Sequence, residues 1–178
     1  MGFIWGLVKF IGVIVGIIFV TIGLTLFASQ FADGPWAMIS GGPFKTGEEI
    51  RTEPDWSFVK DLQEVEFQLV STGTSRTTWI MEHEGRVFIP SAYMNSTVGK
   101  IWKQWPAKAE ADGRMLLRID GKIYARHLKR VMSDPDLKYV LDEITRKYAA
   151  QFGDSAVPVS EVESGNLWIF ELLPPRAA

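Results

Sequence analysis

The sequence predicts an α+β protein: an N-terminal transmembrane helix, then a small, mostly antiparallel β-barrel with two packed helices. Three observations predict it. Residues 10–28, FIGVIVGIIFVTIGLTLFA, run without a charge. From residue 65 onward, short stretches alternate apolar and polar residues, the period of half-buried strands. Two other stretches place apolar residues at helical spacing. Antiparallel strands with a few helices laid on them form barrels of the α+β class.

Composition narrows the chemistry. The chain has 178 residues, 47% of them hydrophobic, enough for one domain with a core plus an added segment. Its net charge is −2, without the clustered basic face that nucleic-acid binding needs. It has no cysteine, which rules out disulfides, thiolate zinc sites, iron–sulfur clusters and cysteine nucleophiles.

Lys9 is the sole charged side chain before Gln30, and all 21 acidic residues come later. At about 1.5 Å per residue, a 19-residue helix spans roughly 28 Å, close to the hydrocarbon thickness of a bilayer. A core helix carries a polar stripe, and this one has none. A signal peptide has an apolar core of about 7 to 15 residues, shorter than this. Residues 1–30 therefore read as a single-pass anchor, with cleavage in LFASQFA as the lesser alternative. Lys9 before the span and Asp33 after it place the N-terminus in the cytoplasm and the domain outside. Gly12, Gly16 and Gly23 fall near one face, a small-residue pattern that serves helix self-association or reflects the ordinary frequency of Gly in membrane helices.

Residues 31–62 are rich in Gly, Pro and charge and read as a linker and irregular approach. Within it, Trp36, Met38 and Ile39 suit either the membrane interface or the covering of a barrel end. Residues 63–178 form the barrel domain. VEFQLV (65–70) turns Val65, Phe67 and Leu69 to one face. Residues 77–92 read as two strands turning at Glu84-Gly85, and residues 114–131 as a hairpin turning at Asp120-Gly121. Val98, Ile101, Trp102 and Trp105 keep helical spacing, and Pro106 ends that pattern. A second helix begins at SDPD, with Ser133 or Asp134 as cap and Pro135 in its first turn. Leu137, Val140, Leu141, Ile144, Tyr148 and Phe152 make its apolar stripe, and Gly153 stops it. Asp142–Arg146 and Glu143–Lys147 pair on its outside. Residues 166–173 form a last strand buried on both sides.

Catalytic motifs are absent: no Walker-type loop, no dinucleotide Gly-rich run, no nucleophile elbow, and no carboxylate pair that stands out as acid and base. His83 and His127 lie on separate hairpins, so no metal site is expected. Asn95-Ser96-Thr97 fits a glycosylation acceptor, a triplet that is frequent by chance. The stretch STGTSRTTW (71–79) carries six hydroxyl residues, Gly73 and Arg76. Such a set holds a phosphate through backbone N–H groups and charge-assisted bonds, or makes a plain hairpin loop.

Taken together, VSTG (70–73), RTT (76–78), PSA (90–92), GKIWKQW (99–105), the hairpin 117–131, PDLKYVLDEITRKYAAQFG (135–153) and LWIFEL (167–172) give a layout that resembles the split β-barrel flavoproteins. This is the pyridoxamine-phosphate-oxidase-like superfamily, and the layout is most similar to its deazaflavin-dependent nitroreductase branch. The resemblance implies a split barrel that binds FMN or a deazaflavin. It implies that Thr72, Gly73, Thr74, Ser75, Arg76, Thr77 and Thr78 hold phosphate or ribityl groups. Ser91, Ala92 and Lys100 would line the ring or tail, and Trp102 would wall the pocket. The family's Gly-Arg-Lys-Ser-Gly is cut here to Gly73-Thr74-Ser75 followed by Arg76, and Lys100 and Lys103 lie on what reads as a solvated helix face. Two readings of function follow with equal weight. One is an anchored oxidoreductase acting on a small or membrane-soluble acceptor, with no proton-transfer side chain required. The other is a cofactor-less anchored module for a partner protein or envelope component.

Overall fold

The computed structural model describes residues 2–97, 99, 103–152 and 155–175. Helix α1 (Gly2–Ser29) is followed by β1 (Glu48–Ile50), a 3-10 helix (Trp56–Asp61), β2 (Glu64–Leu69), β3 (Thr74–Trp79), β4 (Met81–His83) and β5 (Arg86–Ser91). Then come α2 (Trp105–Ala111), β6 (Arg114–Ile119), β7 (Lys122–Val131), α3 (Leu137–Phe152), α4 (Ser160–Glu163) and β8 (Trp168–Leu173). Within α1, Ile4–Ser29 is long and apolar enough to cross a membrane, and none of its most apolar stretch is buried against the rest of the chain.

Strand order makes the barrel. The path is β3-β2-β6-β7-β8-β5-β4, with β1 added in parallel to β7. The ladders along the path are antiparallel. Strands β3 and β4 are the two edges of this sheet, yet only Ile80 separates them in sequence. The sheet must therefore curl until its edges meet. Past Ile80 the chain pairs with β5 as β4, whereas before it β3 runs beside β5 without a ladder. That unpaired seam is the split in the barrel.

Alternation assigns the faces. Val65, Phe67, Leu69, Val87, Ile89, Met115, Leu117, Phe170 and Leu172 fill the interior together with Trp56, Val59 and Trp105. Phe88, Ile169 and Met81 point outward and are covered by Leu137, Val140, Leu141, Ile144 and Tyr148 of α3. Strands β5 and β8 are thus buried on both faces. Each fully buried Phe or Leu side chain contributes about 1.5–3 kcal/mol. Asp120 and Gly121 both have positive φ, as do Glu84 and Gly85, so both expected hairpin turns form.

The seam is closed by α3. Ile80 N–H donates to Tyr148 Oη at 3.0 Å, and Tyr148 donates to the Gln63 carbonyl at 2.6 Å. The Lys147 amine donates to the carbonyls of Ile80 (2.7 Å) and Val59 (2.9 Å). Burial pushes the Lys147 pKa down and that of Tyr148 up to about 12.

Several sequence expectations need correction. Lys147 is buried, so the expected exterior pair Glu143–Lys147 gives way to Arg146–Glu143, and Lys138–Asp142 takes the place of Asp142–Arg146. Pro106 opens α2 and does not close a helix, because its missing N–H costs nothing in the first turn. The expected helix positions Val98, Ile101 and Trp102 lie outside the described residues, as does Gly153. Within 71–79, only residues 71–73 are turn; from Thr74 the chain is strand. The irregular approach supplies a strand, β1, and puts Trp56 and Val59 into the core.

The segment after α1 is fastened to the barrel. Gly42 N–H donates to the Ser29 carbonyl at 3.1 Å, Gly41 pairs with Ser75 through both backbone groups, and the Ser75 hydroxyl donates to the Gly42 carbonyl at 2.6 Å. A Cβ on Gly41 would stand 1.7 Å from the Gly34 carbonyl oxygen. Gly41→Ala is expected to cost about 1–3 kcal/mol through this overpacking. Urea unfolding of the detergent-solubilised protein measures it, and an unchanged midpoint would refute the close contact.

Candidate functional site

A cleft of about 610 Å³ opens along the seam. One side is residues 76–79 of β3, another is residues 90–93 at the end of β5, and Trp105, Ile144 and Leu167 also line it. Residues 155–158, Glu161 and Asn166 form one lip, and Ala37 and Met38 form another. The cleft exists because β3 leaves β5 unpaired, so its place follows from the fold.

Register orients Arg76. It sits opposite Phe67, whose side chain is interior, so Arg76 lies on that same face of the sheet, and it lines the cleft. It forms no ion pair among the described residues, and its Nε is buried without a hydrogen bond. Burial alone pushes its pKa below the ordinary arginine value. Lys103 is the second cation. Its amine donates to the Ala92 carbonyl at 2.7 Å, lies 5.5 Å from the centre of the Tyr93 ring, and is likewise lowered by burial. Glu64 and Glu161 also line the cleft, and Glu161 accepts a 2.6 Å bond from Asn166. Trp79 stacks on Tyr148 with centroids 4.3 Å apart, giving the cleft an aromatic wall backed by the seam clamp.

Of the residues expected at a site, Arg76, Thr77, Thr78, Ser91 and Ala92 line this cleft. The Ser91 hydroxyl lies 3.3 Å from the Met94 sulfur. Thr72 and Thr74 share a 2.7 Å hydroxyl contact at the β2–β3 hairpin, Gly73 takes positive φ there, and none of the three borders the cleft. Ser75 is fully buried on the opposite face, holding the segment that follows α1. Lys100 and Trp102 lie outside the described residues. Sequence reasoning placed Lys103 on a solvated face; it is half-buried and lines the cleft. Trp79, Tyr93 and Trp105 were missed as cleft residues. The available signal was Pro106: read as a helix start, it separates Lys103 and Trp105 from the preceding pattern.

His83 ends β4 and His127 lies within β7. His83 stacks on Tyr139 at 5.1 Å. The potential ligand atoms of His83, Glu84 and Asp136 lie within 4.8 Å of one another, with Asp136 already paired to Arg86 at 3.1 Å.

The junction carries its own electrostatics. Asp33 accepts a 2.7 Å bond from the Lys45 N–H, a bond from the Thr46 hydroxyl, and a 2.8 Å bond from Arg118, which also binds Glu66 at 2.6 Å. The Lys45 N–H, then Thr46 and Arg118, hold the Asp33 carboxyl well below the usual carboxylate range. A depressed folded-state pKa stabilises above the unfolded value of about 4 and is lost as pH falls below it. Asp33→Asn is therefore expected to flatten the loss of stability below about pH 4, read as thermal midpoints across that range. An unchanged slope would refute the role.

No family model and no curated protein matches the sequence. Solved structures are similar in fold at low identity. A putative pyridoxamine 5'-phosphate oxidase from Listeria innocua is 8% identical with a TM-score of 0.43, over 67% of this chain and 90% of that one. A conserved hypothetical protein from Mycobacterium tuberculosis is 11% identical with a TM-score of 0.44, over 67% and 77%. The heme storage protein HutZ from Vibrio cholerae is 9% identical with a TM-score of 0.42, over 72% and 93%.

Proposed function

We propose that the chain is a membrane-anchored split-barrel domain whose cleft binds a flavin-type cofactor, FMN before a deazaflavin, for redox chemistry on a small or membrane-soluble acceptor. The observation that carries this is Arg76: a half-buried guanidinium on the cleft, without an ion pair among the described residues. A buried cation lacking a partner is costly unless a ligand supplies the anion. The donor set fits a phosphate. Arg76 offers a planar fork, Lys103 is a second positive group on the same cleft, and Thr77, Thr78 and Ser91 bring hydroxyls. Trp79, Trp105 and Tyr93 suit a planar ring system. A bound flavin supplies the hydride chemistry; the chain binds, orients and shields it. Helix α1 anchors the domain, with the N-terminus in the cytoplasm.

Full-length protein in detergent is titrated with FMN and with the deazaflavin coenzyme, read by absorbance and fluorescence quenching, beside Arg76→Ala. Loss of one charge-assisted bond, about 1.5–3 kcal/mol, predicts affinity roughly 10- to 100-fold weaker. Failure of the wild type to bind either at cofactor levels far above those in cells would sink this reading and favour the cofactor-less interaction module.

A further inference from the structure

One lip of the cleft, Ala37 and Met38, belongs to the segment that follows the apolar helix. After Ser29 the chain makes a tight two-residue hairpin: Trp36 N–H donates to the Ile39 carbonyl at 3.0 Å and Ile39 N–H returns to Trp36 at 2.9 Å. Ala37 and Met38 form its tip, Ala37 in the left-handed region at φ 49°. The tip is open to solvent: Met38 is 94% exposed and Trp36 47%, and Phe31 before them is 63% exposed. Three large apolar groups in so short a segment are unfavourable in water.

Their position relative to α1 is fixed. Gly42 is bonded to the last residue of α1, and Met38 is four residues upstream. At about 3.8 Å per residue, Met38 lies within roughly 15 Å of the helix end. The segment does not swing, because Asp33–Arg118–Glu66 and Gly41–Ser75 tie it to three strands. The polar interfacial layer is about 5–8 Å deep on each side of the hydrocarbon, and Trp concentrates there.

We infer that the turn 36–39 is a bilayer seat: Trp36 and Met38 enter the headgroup layer of the membrane that α1 crosses and hold the cleft lip at the lipid surface. This rests on α1 spanning the membrane. Its partner is the lipid interface, since the exposed apolar groups are tethered within reach of it and Ala37 and Met38 are also the lip. A ligand entering past that lip comes through the headgroup layer.

The absence of native cysteine makes the test clean. Full-length Met38→Cys carries an environment-sensitive fluorophore in nanodiscs of phosphatidylcholine and phosphatidylglycerol, with quencher on the lipid headgroups or mid-chain. Val15→Cys in α1 and Lys138→Cys on α3, where the native side chain is exposed, are labelled in parallel. The expected result is a blue-shifted Met38 label quenched from the headgroup, a Val15 label quenched from mid-chain, and a Lys138 label in water. A Met38 label as wet as Lys138, with Val15 deep, would overturn the seat and leave the anchor standing. A Val15 label in water would overturn both. A blue shift at Met38 that disappears at one copy per nanodisc would assign the turn to a second copy of this chain and overturn the lipid seat.

Discussion

Tyr148→Phe is expected to destabilise the protein by about 1–3 kcal/mol, and Tyr148→Ala by about 3–5 kcal/mol. The hydroxyl of Tyr148 ties α3 to the end of the β2–β3 ladder, where Glu64 pairs with Trp79. It accepts from Ile80 N–H and donates to Gln63, while its ring stacks on Trp79. Phenylalanine keeps the stack but leaves the buried Ile80 N–H and the part-buried Gln63 carbonyl without the hydroxyl. Alanine also opens a cavity at a site 1% exposed to solvent. The hydroxyl carries a pH signature. Its folded-state pKa is raised to about 12, above the unfolded value, so its contribution is complete below about pH 10 and is lost as pH rises through 12. Denaturant midpoints measured from neutral to alkaline pH therefore fall for wild type and fall less for Tyr148→Phe. A Phe variant as stable as wild type at neutral pH would show that the seam closes without α3.

Much of the barrel was legible because its strands obey period 2 against a single core. Val65, Phe67 and Leu69, the Asp120-Gly121 hairpin and the closing strand state their faces directly. The crossing at Ile80 was not legible. TTWIMEH has no Gly or Pro, so it reads as one strand, and the break comes from which neighbours β3 and β4 find. Lys147 misled for a similar reason: its spacing within α3 allows an exterior ion pair, but Val59 and Ile80 offer carbonyls where the amine arrives. In the candidate site, Arg76 was visible as a cation in its place. Lys103, Trp79 and Trp105 become neighbours only through long-range folding around the seam.

In ligand-free protein, Arg76→Met is expected to leave stability unchanged or raise it by about 1 kcal/mol, in the range of surface and cap optimisations. Most substitutions at half-buried positions destabilise. The opposite sign is expected here because the guanidinium is desolvated and has no ion pair among the described residues, while methionine keeps an apolar stem along the cleft. The benefit of the arginine appears only with an anion present. At FMN concentrations about 100-fold above the dissociation constant, wild type gains about 2.7 kcal/mol by mass action. Arg76→Met loses most of that gain at the same concentration. Thermal unfolding of both proteins, each with and without FMN, makes a four-way comparison in which the ranking of the two variants reverses. A loss of more than about 2 kcal/mol for the ligand-free variant would instead make Arg76 part of the fold's own support, since breaking an interaction already made in the folded state carries a cost of that size. Reversal of the ranking would mark Arg76 as a group kept for its ligand at the expense of the empty protein.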